Sequence, residues 1–308
     1  MKAAFFNHTG GPEVLQYGEV PDPVAGPGQI VVDIHAASVN GVDWKIRKGG
    51  YLPVESFPCI LGRDFSGVVS ETGEGVVDLA VGDPVFGVSE TRDNGAYAER
   101  IAINAAIVAR KPESITHIEM ASIALTGLTA LVAIEETLDL QPGETVLVHG
   151  GAGGVGGLAV QLAKHRGARV ITTASAANTA YVRQLGADEV IDYTAVDFTR
   201  LVSGCDAVLD TVGGDVAQRS FAVVRPGGRA AFIASGPSAP ESPRTDVESL
   251  RPRVDRSRVR LERLLERLRV GALRLPEITV FRLWEAAAAH ERSQGRHLRG
   301  KLVFRVRD

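Results

Sequence analysis

The chain has 308 residues, of which 44% are hydrophobic and 23% charged, and its formal net charge is −3 at pH 7. This composition is ordinary for a folded globular protein, and the length allows two domains with separate cores. The small negative charge disfavours a general nucleic-acid binder. Cys59 and Cys205 lie far apart without zinc-ligand spacing, so we predict no disulfide framework and no cysteine-based metal site, and interpret both as small buried hydrophobic residues.

Neither a signal peptide nor a membrane span is predicted. The N-terminal stretch MKAAFFNHTGG lacks the longer apolar core of a signal peptide. We also expect no apolar segment of the roughly 20 residues that cross a bilayer. The protein is therefore predicted to be cytoplasmic, without membrane contact.

Residues 1–118 are predicted to form a β-rich domain. Short apolar stretches follow one another here, and Gly and Pro residues separate them. They include GQIVVDIHAASVN, VGDPVFGV and GAYAERIAI. This rhythm is typical of a small, irregular barrel.

From about residue 120 the pattern changes to alternating strands and helices. ETVLVHG predicts a buried strand, VGGLAVQLAKHRG a helix that ends at Gly167, ARVITTAS the next strand, and NTAYVRQLGA a helix that ends at Gly186. DEVIDY, CDAVLDTVGG, AQRSFAVVRPGG and RAAFIASGP continue the alternation. Such βα units predict an α/β fold, with a doubly wound parallel sheet covered by helices on both faces.

The C-terminal region predicts one amphipathic helix and a return of the chain to the first domain. In VDRSRVRLERLLERLRVGAL the leucines have helical spacing. This helix holds most of an excess of basic residues, which we interpret as a solvated face in preference to a site for an anionic partner. EITVFRLWEAAAAHE and RGKLVFRV then predict a strand, a helix and a last strand.

The segment GAGGVG matches the pattern GxGxxG directly between a predicted strand and a predicted helix. Its first glycine permits a tight turn, its second lets the main chain approach a pyrophosphate, and its third lets helix and strand pack closely. The helix N-terminus adds N–H groups and a positive dipole end. We predict a dinucleotide site, the alternative being a glycine-rich turn that serves packing alone. The predicted contacts are Gly151, Gly153, Gly154, Val155 and Gly156.

The end of the next strand bears on the choice between NAD and NADP. An Asp or Glu about 20 residues beyond the glycines would hold the ribose hydroxyls of NAD. The stretch VITTASAAN has no acidic residue, and Ser175 offers a hydroxyl to a 2′-phosphate. The expected neighbouring Lys or Arg is missing, and Arg183 lies further along the next helix. We predict NADP(H).

Several stretches, in the right order, resemble the medium-chain dehydrogenase/reductase superfamily, specifically its zinc-free branch of quinone oxidoreductases and alkenal/enone reductases. They are AASVNGVDWKIRKGGY, LGRDFSGVV, VGDPVFG, GAYAE, ALTGLTA, VLVHGGAGGVGGLAVQLAK, LGADEVIDY and RGKLVF. The resemblance implies a GroES-like catalytic domain over residues 1–118, completed by about 272–308. It also implies a Rossmann NADP(H)-binding domain over residues 119–271, and a homodimer paired through the edge of the Rossmann sheet.

The resemblance implies further cofactor contacts. Ligands of open α/β sheets bind at the carboxyl ends of strands, where most of these residues are expected. The alternative is helix packing around Gly127 for the two threonines of ALTGLTA, and surface packing for the tyrosine. The implied contacts are Thr126, Thr129, Tyr193, Thr211, Val212, Gly213, Phe232, Ile233 and Ala234.

Tyr51 and Asn40 are the catalytic candidates that the resemblance implies. Tyr51 matches a tyrosine near the substrate, whose phenol can donate a hydrogen bond or a proton to a developing oxyanion. The alternative is an aromatic side chain that lines the pocket or packs on it. Asn40 stands where zinc-dependent members carry a catalytic cysteine, and its amide can orient the nicotinamide ribose or a substrate carbonyl. An Asn-Gly turn explains it equally well.

Departures from the zinc-dependent pattern predict no metal. GRD, with Arg63 and Asp64, replaces a GHE motif, and the cysteines of a zinc-binding lobe are missing. We interpret Arg63 and Asp64 as a structural ion pair. Because zinc is the Lewis acid that acidifies a bound alcohol, alcohol oxidation is disfavoured without it.

With alcohol oxidation disfavoured, the remaining reaction is hydride transfer to an acceptor that is activated by conjugation. We therefore predict an NADPH-dependent reductase of a small-molecule quinone or α,β-unsaturated carbonyl compound. Two alternatives stay open, an enoyl reductase that tailors a biosynthetic intermediate and a non-catalytic NADPH-binding protein. His149 is assigned a packing or backbone hydrogen-bonding role, and Asp206 and Asp210 are assigned to capping and turns.

Overall fold

The computed structural model describes residues 1–90 and 95–307. They form two compact units. The first unit comprises Met1–Leu125, Arg256–Arg263 and Glu277–Asp308, and the second comprises Thr126–Asp255 and Leu264–Pro276.

The strands and helices alternate irregularly at first and regularly later. In chain order the strands are β1 (Lys2–Phe6), β2 (Gln16–Glu19), β3 (Gln29–Ser38), β4 (Cys59–Ile60), β5 (Asp64–Thr72), β6 (Pro84–Val88), β7 (Arg100–Asn104), β8 (Val108–Arg110), β9 (Thr145–His149), β10 (Arg169–Ala174), β11 (Glu189–Asp192), β12 (Cys205–Asp210), β13 (Val224–Phe232), β14 (Glu248–Leu250), β15 (Ile278–Arg282) and β16 (Lys301–Arg305). The α-helices are α1 (Gly41–Arg47), α2 (His117–Leu131), α3 (Gly154–His165), α4 (Thr179–Gln184), α5 (Asp215–Ser220), α6 (Arg258–Arg269) and α7 (Ala286–Gln294).

The first unit is built on two antiparallel-rich sheets. The larger has the strand order β15-β16-β3-β5-β6-β8, with β7 also paired to β3, and the smaller has the order β2-β1-β4. The last strand, β16, pairs antiparallel with β3 through Val303 and Ser38, so the end of the chain completes the larger sheet. Phe6, Phe65 and Phe304 are fully buried in the core between these elements.

The second unit is a doubly wound parallel sheet, as predicted. Its strand order is β11-β10-β9-β12-β13-β14, and every neighbouring pair is parallel. The chain runs outward from β9 to β11, then returns and runs the other way from β12. The switch point is therefore between β9 and β12, which is where open α/β sheets bind ligands. No motif in the sequence predicted β14 (Glu248–Leu250), the short strand at the edge.

One expectation about hydropathy was wrong. The helical segment His117–Thr137, which is α2 with one π-helical turn, is long and apolar enough to cross a membrane by length and composition. Its charged residues are Glu119, Glu135 and Glu136, which lie near its two ends. The residues between them are mostly apolar and without charge. In the structure 72% of its most apolar window is buried inside the protein, which is how a helix of a protein core behaves.

Three arginines of the basic helix α6 form ion pairs within the protein. Leu261 and Leu264 are buried on its apolar face. Among its arginines, Arg258 forms an ion pair with Asp78, Arg267 with Glu135, and Arg269 with Glu266. These pairs neutralise charge locally, which favours the structural interpretation of this helix over an anionic partner.

Candidate active site

The glycine-rich turn after β9 is shaped by different glycines from those expected. The left-handed residue is Gly150, with φ +74°, and not Gly151, which we had assigned to the tight turn. At Gly151 a Cβ would lie 2.1 Å from Oγ1 of Thr172, so this glycine is needed because β10 packs directly against the turn. The pattern match was right about the turn and wrong about which residue makes it.

Gly156 and Gly153, the other two glycines of the pattern GxGxxG, differ in how closely neighbouring atoms approach them. A Cβ at Gly156 would lie 2.2 Å from the carbonyl oxygen of Gly150, so helix α3 and the turn are in main-chain contact there. At Gly153, the residue before α3, the nearest described atom to a Cβ would be that same oxygen, at 3.4 Å. Bare main chain at Gly153 thus faces open space beside the first N–H groups of a helix, which suits an approaching pyrophosphate.

Threonine side chains at the switch point form hydrogen bonds between the ends of the central strands. Oγ1 of Thr211, just after β12, donates to the carbonyl oxygen of His149 at 2.6 Å. The N–H of Gly150 donates to Oγ1 of Thr173, at 3.1 Å. His149 is buried, with Nδ1 3.2 Å from Oγ1 of Thr173, and burial lowers its pKa to about 3. The imidazole is therefore neutral, in keeping with a packing role.

Asp210 organises the loop after β12. Its carboxylate accepts from the N–H groups of Val212 and Gly213, and its carbonyl accepts from the N–H of Ile233 at 3.1 Å. Gly213 has φ +80°, and a Cβ there would lie 2.9 Å from the carbonyl oxygen of Ala234. The structure thus places four predicted cofactor contacts close together, namely Val212, Gly213, Ile233 and Ala234. Asp210 has the turn function that we expected.

Only the main chain of Phe232, and not its side chain, lies beside the loops after β12 and β13. Its ring is fully buried, 5.1 Å from the ring of Phe221, and its carbonyl oxygen accepts from Nη1 of Arg251 at 2.7 Å. Ser235, which the sequence analysis did not select, has a buried Oγ without a hydrogen-bond partner in the described part of the chain. A buried hydroxyl of this kind is satisfied when a polar ligand binds beside it. In the sequence, Ser235 is indicated as a candidate by its position directly after the predicted contact Ala234.

The end of β10 carries a pair of uncharged polar side chains. Nδ2 of Asn178 donates to Oγ of Ser175 at 3.1 Å. Tyr193 follows the neighbouring strand β11; its side chain is 46% exposed and its N–H donates to the carbonyl of Ala174. Ser175 and Tyr193 therefore lie at adjacent strand ends, as a shared ligand would require.

Thr126 and Thr129 lie three residues apart on α2 and so share a helix face. Both are buried, being 5% and 9% exposed. A Cβ at Gly127 would lie 2.6 Å from Leu264, which shows close packing of α2 against α6 at this point. The packing alternative holds for Gly127, whereas cofactor contact by the two threonines stays a prediction.

In the first unit, Asn40 lies in a buried polar network. Its Nδ2 donates to Oδ2 of Asp64 at 2.5 Å, and its Oδ1 accepts from Nζ of Lys301 at 2.9 Å. Nζ of Lys301 lies 3.8 Å from the same carboxylate. The cation that the structure records beside Asp64 is thus Lys301 and not Arg63, as we had expected. Arg63 and Asp64 are consecutive in extended chain, where neighbouring side chains point to opposite faces.

A second buried cluster supports helix α1, and the sequence analysis missed it. Oδ2 of Asp43 accepts from the hydroxyl of Tyr97 and from the N–H of Asn40, both at 2.8 Å. His290 has Nε2 3.3 Å from the Tyr97 hydroxyl and Nδ1 3.2 Å from Nη1 of Arg47. Burial raises the pKa of Asp43 to about 6 and lowers that of His290 to about 3. The cluster fixes Asn40 and the start of α1.

A cavity of about 350 Å³ lies in the first unit. Its wall is polar and apolar in about equal parts, with Arg63 as its buried charged residue; Arg63 is 5% exposed and burial lowers its pKa to about 10. The lining residues are Ile46, Leu52, Pro53, Val54, Glu55, Ser56, Pro58, Cys59, Ile60, Leu61, Gly62, Arg63 and Gly95. Leu52 of the lining directly follows Tyr51, whose partly buried ring lies 5.8 Å from Nζ of Lys45.

The residues at the positions of the zinc ligands do not suit zinc. Asn40 has its oxygen occupied by an ammonium group, and Arg63 is a cation. Within residues 1–90 and 95–307 no group of three His, Cys, Asp or Glu side chains is placed to hold a metal. Cys205 is buried as expected, but Cys59 is only partly buried because it lines the cavity, and burial raises the pKa of both thiols to about 11.

Two family models match the chain. Residues 26–113 match the alcohol dehydrogenase GroES-like domain, and residues 185–304 match the zinc-binding dehydrogenase family. The second description names zinc, whereas the residues described above provide no zinc-ligand set.

Known proteins match over most or all of the chain. A 2-haloacrylate reductase from Burkholderia sp is 32% identical over 98% of both chains. An NADPH-dependent alkenal/one oxidoreductase from Arabidopsis thaliana is 34% identical over 78% of this chain, which spans 64% of that relative. The structure of Escherichia coli quinone oxidoreductase complexed with NADPH has a TM-score of 0.91, with 28% identity over 99% of this chain and 100% of that one.

Proposed function

The chain belongs to the medium-chain dehydrogenase/reductase superfamily, among its quinone and alkenal/one oxidoreductases, and we propose that it is an NADPH-dependent reductase. Its acceptor is a quinone or the β-carbon of an α,β-unsaturated carbonyl compound. The observation that carries this proposal is the turn at the β9/β12 switch point, where Gly153 leaves bare main chain in open space before helix α3.

The second unit supplies the residues that would hold the nicotinamide cofactor. The turn Gly151–Gly156 with its helix N-terminus suits the pyrophosphate. The loops after β12 and β13, from Thr211 and from Ile233, suit the nicotinamide half, together with the buried hydroxyl of Ser235. When bound, the cofactor supplies a hydride for the acceptor. Thr126 and Thr129 remain proposed contacts of the nicotinamide or its ribose.

NADPH as the preferred form is supported by the end of β10. Ser175 and Asn178 form an uncharged donor pair there, and no acidic residue lies between Val170 and Asn178. A carboxylate at this position would repel a 2′-phosphate, whereas hydroxyl and amide groups donate to it. We assign Tyr193 to the same end of the cofactor.

We propose chemistry without zinc. Conjugation spreads the negative charge that develops on the acceptor onto an oxygen, so the protein needs only to stabilise that oxygen and supply a proton. Tyr51 is the proposed donor. Asn40 is held by Asp64 and Lys301, and we assign it the role of a rigid support beside the acceptor.

We further propose that the protein acts in the cytoplasm on a small molecule, as a homodimer paired through the β14 edge, without nucleic acid. β14 is an edge strand, and an unpaired edge is a ready surface for strand addition. Light scattering of the purified protein tests the dimer.

Activity is tested by mixing the protein with NADPH or NADH and a panel of quinones and enones, and following the absorbance of the reduced cofactor. We expect oxidation of NADPH with at least one acceptor class, and slower oxidation of NADH. Tight NADPH binding without turnover on any acceptor would instead identify a non-catalytic binding protein.

A further inference from the structure

Lys301, the first residue of β16, is buried in the first unit beside the catalytic candidate Asn40. Its Nζ donates to Oδ1 of Asn40 and to the carbonyl oxygen of Val39, both at 2.9 Å. Burial lowers the pKa of Lys301, while the carboxylates of Asp64 and Asp43 act in the opposite direction. A buried ammonium group is costly unless it is paired, so its position needs a reason. Both of its hydrogen bonds go to Asn40 or to the residue before it, so the reason lies in what they do to Asn40.

The amide of Asn40 has two orientations of nearly equal shape, which exchange its oxygen and its nitrogen. In the orientation that the structure has, Nδ2 donates to Oδ2 of Asp64 at 2.5 Å and Oδ1 accepts from Lys301. The reversed orientation would bring Oδ1 against a carboxylate, which only accepts, and Nδ2 against an ammonium group, which only donates. Both hydrogen bonds would be lost, and two repulsive contacts would replace them. The two charges therefore select one orientation of the amide.

Asp64 is itself held as an acceptor. Its Oδ2 accepts from Oγ of Ser38 at 2.5 Å, and its Oδ1 accepts from the N–H of Leu125. Together with Nδ2 of Asn40, three donors meet this one buried carboxylate. Nζ of Lys301 lies 3.8 Å from Oδ2 of Asp64, so the amide of Asn40 bridges the two charges. The bridge is rigid because each charged group is also bound by the surrounding protein.

The arrangement presents Asn40 to a ligand mainly as a hydrogen-bond donor. One N–H of its amide is used by Asp64, and among the described residues the other has only the carbonyl oxygen of Ser38, at 3.5 Å. That distance is longer than an ordinary hydrogen bond. The cation beside Oδ1 polarises the amide and strengthens its N–H groups as donors. The carbonyl oxygen of a conjugated acceptor can only accept, and it gains negative charge during hydride transfer, so this second N–H suits it.

We propose that Lys301 is a positioning residue: together with Asp64 it orients the amide of Asn40 so that one N–H donates to the carbonyl oxygen of the acceptor. The inference rests on the proposed reductase function, which puts Asn40 beside the acceptor. Lys301 does not touch the acceptor and acts only through Asn40. Of the two roles considered for Asn40, a fixed donor favours contact with the substrate carbonyl over contact with the nicotinamide ribose, whose hydroxyl groups can both donate and accept.

The first test is a double-mutant cycle between Asn40 and the two charged residues. Lys301→Met/Asp64→Asn removes both charges at once and so leaves no unpaired charge in the core. We expect Asn40→Ala to lower kcat for a reducible enone by about 100-fold, as for the loss of one donor to a developing oxyanion, and the pair variant to lower it by about tenfold. The triple variant should be no slower than Asn40→Ala, because the pair acts through that residue. KM and NADPH affinity should change little.

An exposed ion pair of the first unit provides the matched control. Nζ of Lys2 lies 3.0 Å from Oε1 of Glu19, and Lys2→Met/Glu19→Gln should leave kcat unchanged. Losses that multiply in the triple variant, to about 1000-fold in all, would show that the charged pair acts independently of Asn40 and would overturn the inference. Wild-type kcat in Lys301→Met/Asp64→Asn would overturn it as well.

A spectroscopic measurement on the wild-type protein needs no turnover and does not depend on the folding of the pair variant. The chain has five asparagines, so ¹⁵N labelling of their side chains gives few amide signals in an NMR spectrum. Cyclohexanone, added with NADP⁺, is saturated and stands in for the acceptor. We expect one Nδ2 proton of Asn40 to move downfield with cyclohexanone, while the proton bonded to Asp64 stays in place. No change at Asn40 at any cyclohexanone concentration overturns the inference, whereas this shift without turnover on any acceptor would overturn only the reductase function.

Discussion

Thr211 and His149 are joined by a 2.6 Å hydrogen bond from the threonine hydroxyl to the histidine carbonyl, across the switch point of the parallel sheet. His149, which carries this carbonyl, is the last residue of β9 and directly precedes the left-handed Gly150. The bond therefore connects the loop after β12 to the start of the glycine-rich turn. We therefore expect the position of that turn to depend on the bond.

Replacing Thr211 by Val keeps the shape of the side chain and removes this hydrogen bond. We expect a loss of stability of about 1 kcal/mol and a several-fold weaker binding of NADPH. Urea unfolding and fluorescence titration measure the two effects. Thr245→Val, at an exposed position of the second unit, is the control and should change neither. Unchanged NADPH affinity in Thr211→Val would show that the turn holds its position without the bond.

Gly153 and Gly156 allow a sharper test of the same site. An alanine at Gly156 would place Cβ 2.2 Å from a carbonyl oxygen, so the main chain must move, at a cost of about 1–3 kcal/mol. An alanine at Gly153 has 3.4 Å of clearance and should leave the Tm nearly unchanged. Because that methyl group occupies the open space, we expect Gly153→Ala to weaken NADPH binding at least tenfold. Wild-type affinity in this variant would place the pyrophosphate elsewhere.

The parallel sheet could be predicted because its signals are local. Each strand and its following helix lie within about 25 residues in the sequence, and glycines such as Gly167 and Gly186, both with positive φ, end the helices where expected. Motif matching also placed the glycine-rich turn between β9 and α3 correctly. It could not show that Gly150 makes the turn, because that depends on the contact between Gly151 and Thr172 on a neighbouring strand.

The buried polar networks of the first unit could not be predicted from the sequence. Asn40 receives its hydrogen bond from Lys301, and Arg47 contacts His290, so the partners are separated by more than two hundred residues. No local pattern relates them, and an isolated Lys or His in the sequence is usually exposed. The expected pair of Arg63 and Asp64 failed for the opposite reason, since neighbours in sequence point apart in extended chain.

Tyr51→Phe tests whether the phenol acts on the developing oxyanion. We expect turnover to fall by about tenfold or more, because a proton donor is removed, while NADPH affinity is unchanged. Stopped-flow measurement of NADPH oxidation, with an independent titration of NADPH binding, separates the two quantities. Tyr17→Phe, at a largely exposed position, is the matched control. Wild-type turnover in Tyr51→Phe would leave this side chain only a packing role on Lys45 and the core.

Stability should fall as the pH is lowered from 7 to 5. Burial lowers the pKa of His149 and His290 from 6.5 to about 3, so each contributes stability above pH 6.5 that is lost progressively as the pH falls toward 3. Asp43 opposes this, since its pKa rises from 3.8 to about 6 on folding, and its contribution is present at low pH and lost as the pH rises through 6. The two histidines outweigh the one carboxyl group.

The variant His290→Gln identifies one source of this pH dependence. A glutamine amide can accept from Arg47 and donate toward Tyr97, but it does not titrate. We expect the loss of unfolding free energy between pH 7 and pH 5 to shrink by about 2 kcal/mol, as linkage requires for one histidine that stays neutral in the fold. An identical slope in His290→Gln would mean that this imidazole is protonated in the native protein.

Removal of divalent metals should leave the reductase activity unchanged. The oxygen of Asn40 accepts a hydrogen bond from the ammonium group of Lys301, whose positive charge disfavours a metal ion there. The position that would otherwise hold a second zinc ligand carries the cation Arg63, which has no lone pair to offer. Dialysis against a chelator, followed by elemental analysis and an NADPH oxidation assay on a reducible enone, measures both metal content and rate. A rate that falls with chelation and returns stoichiometrically with zinc would contradict this, and would require a ligand set other than the one at Asn40.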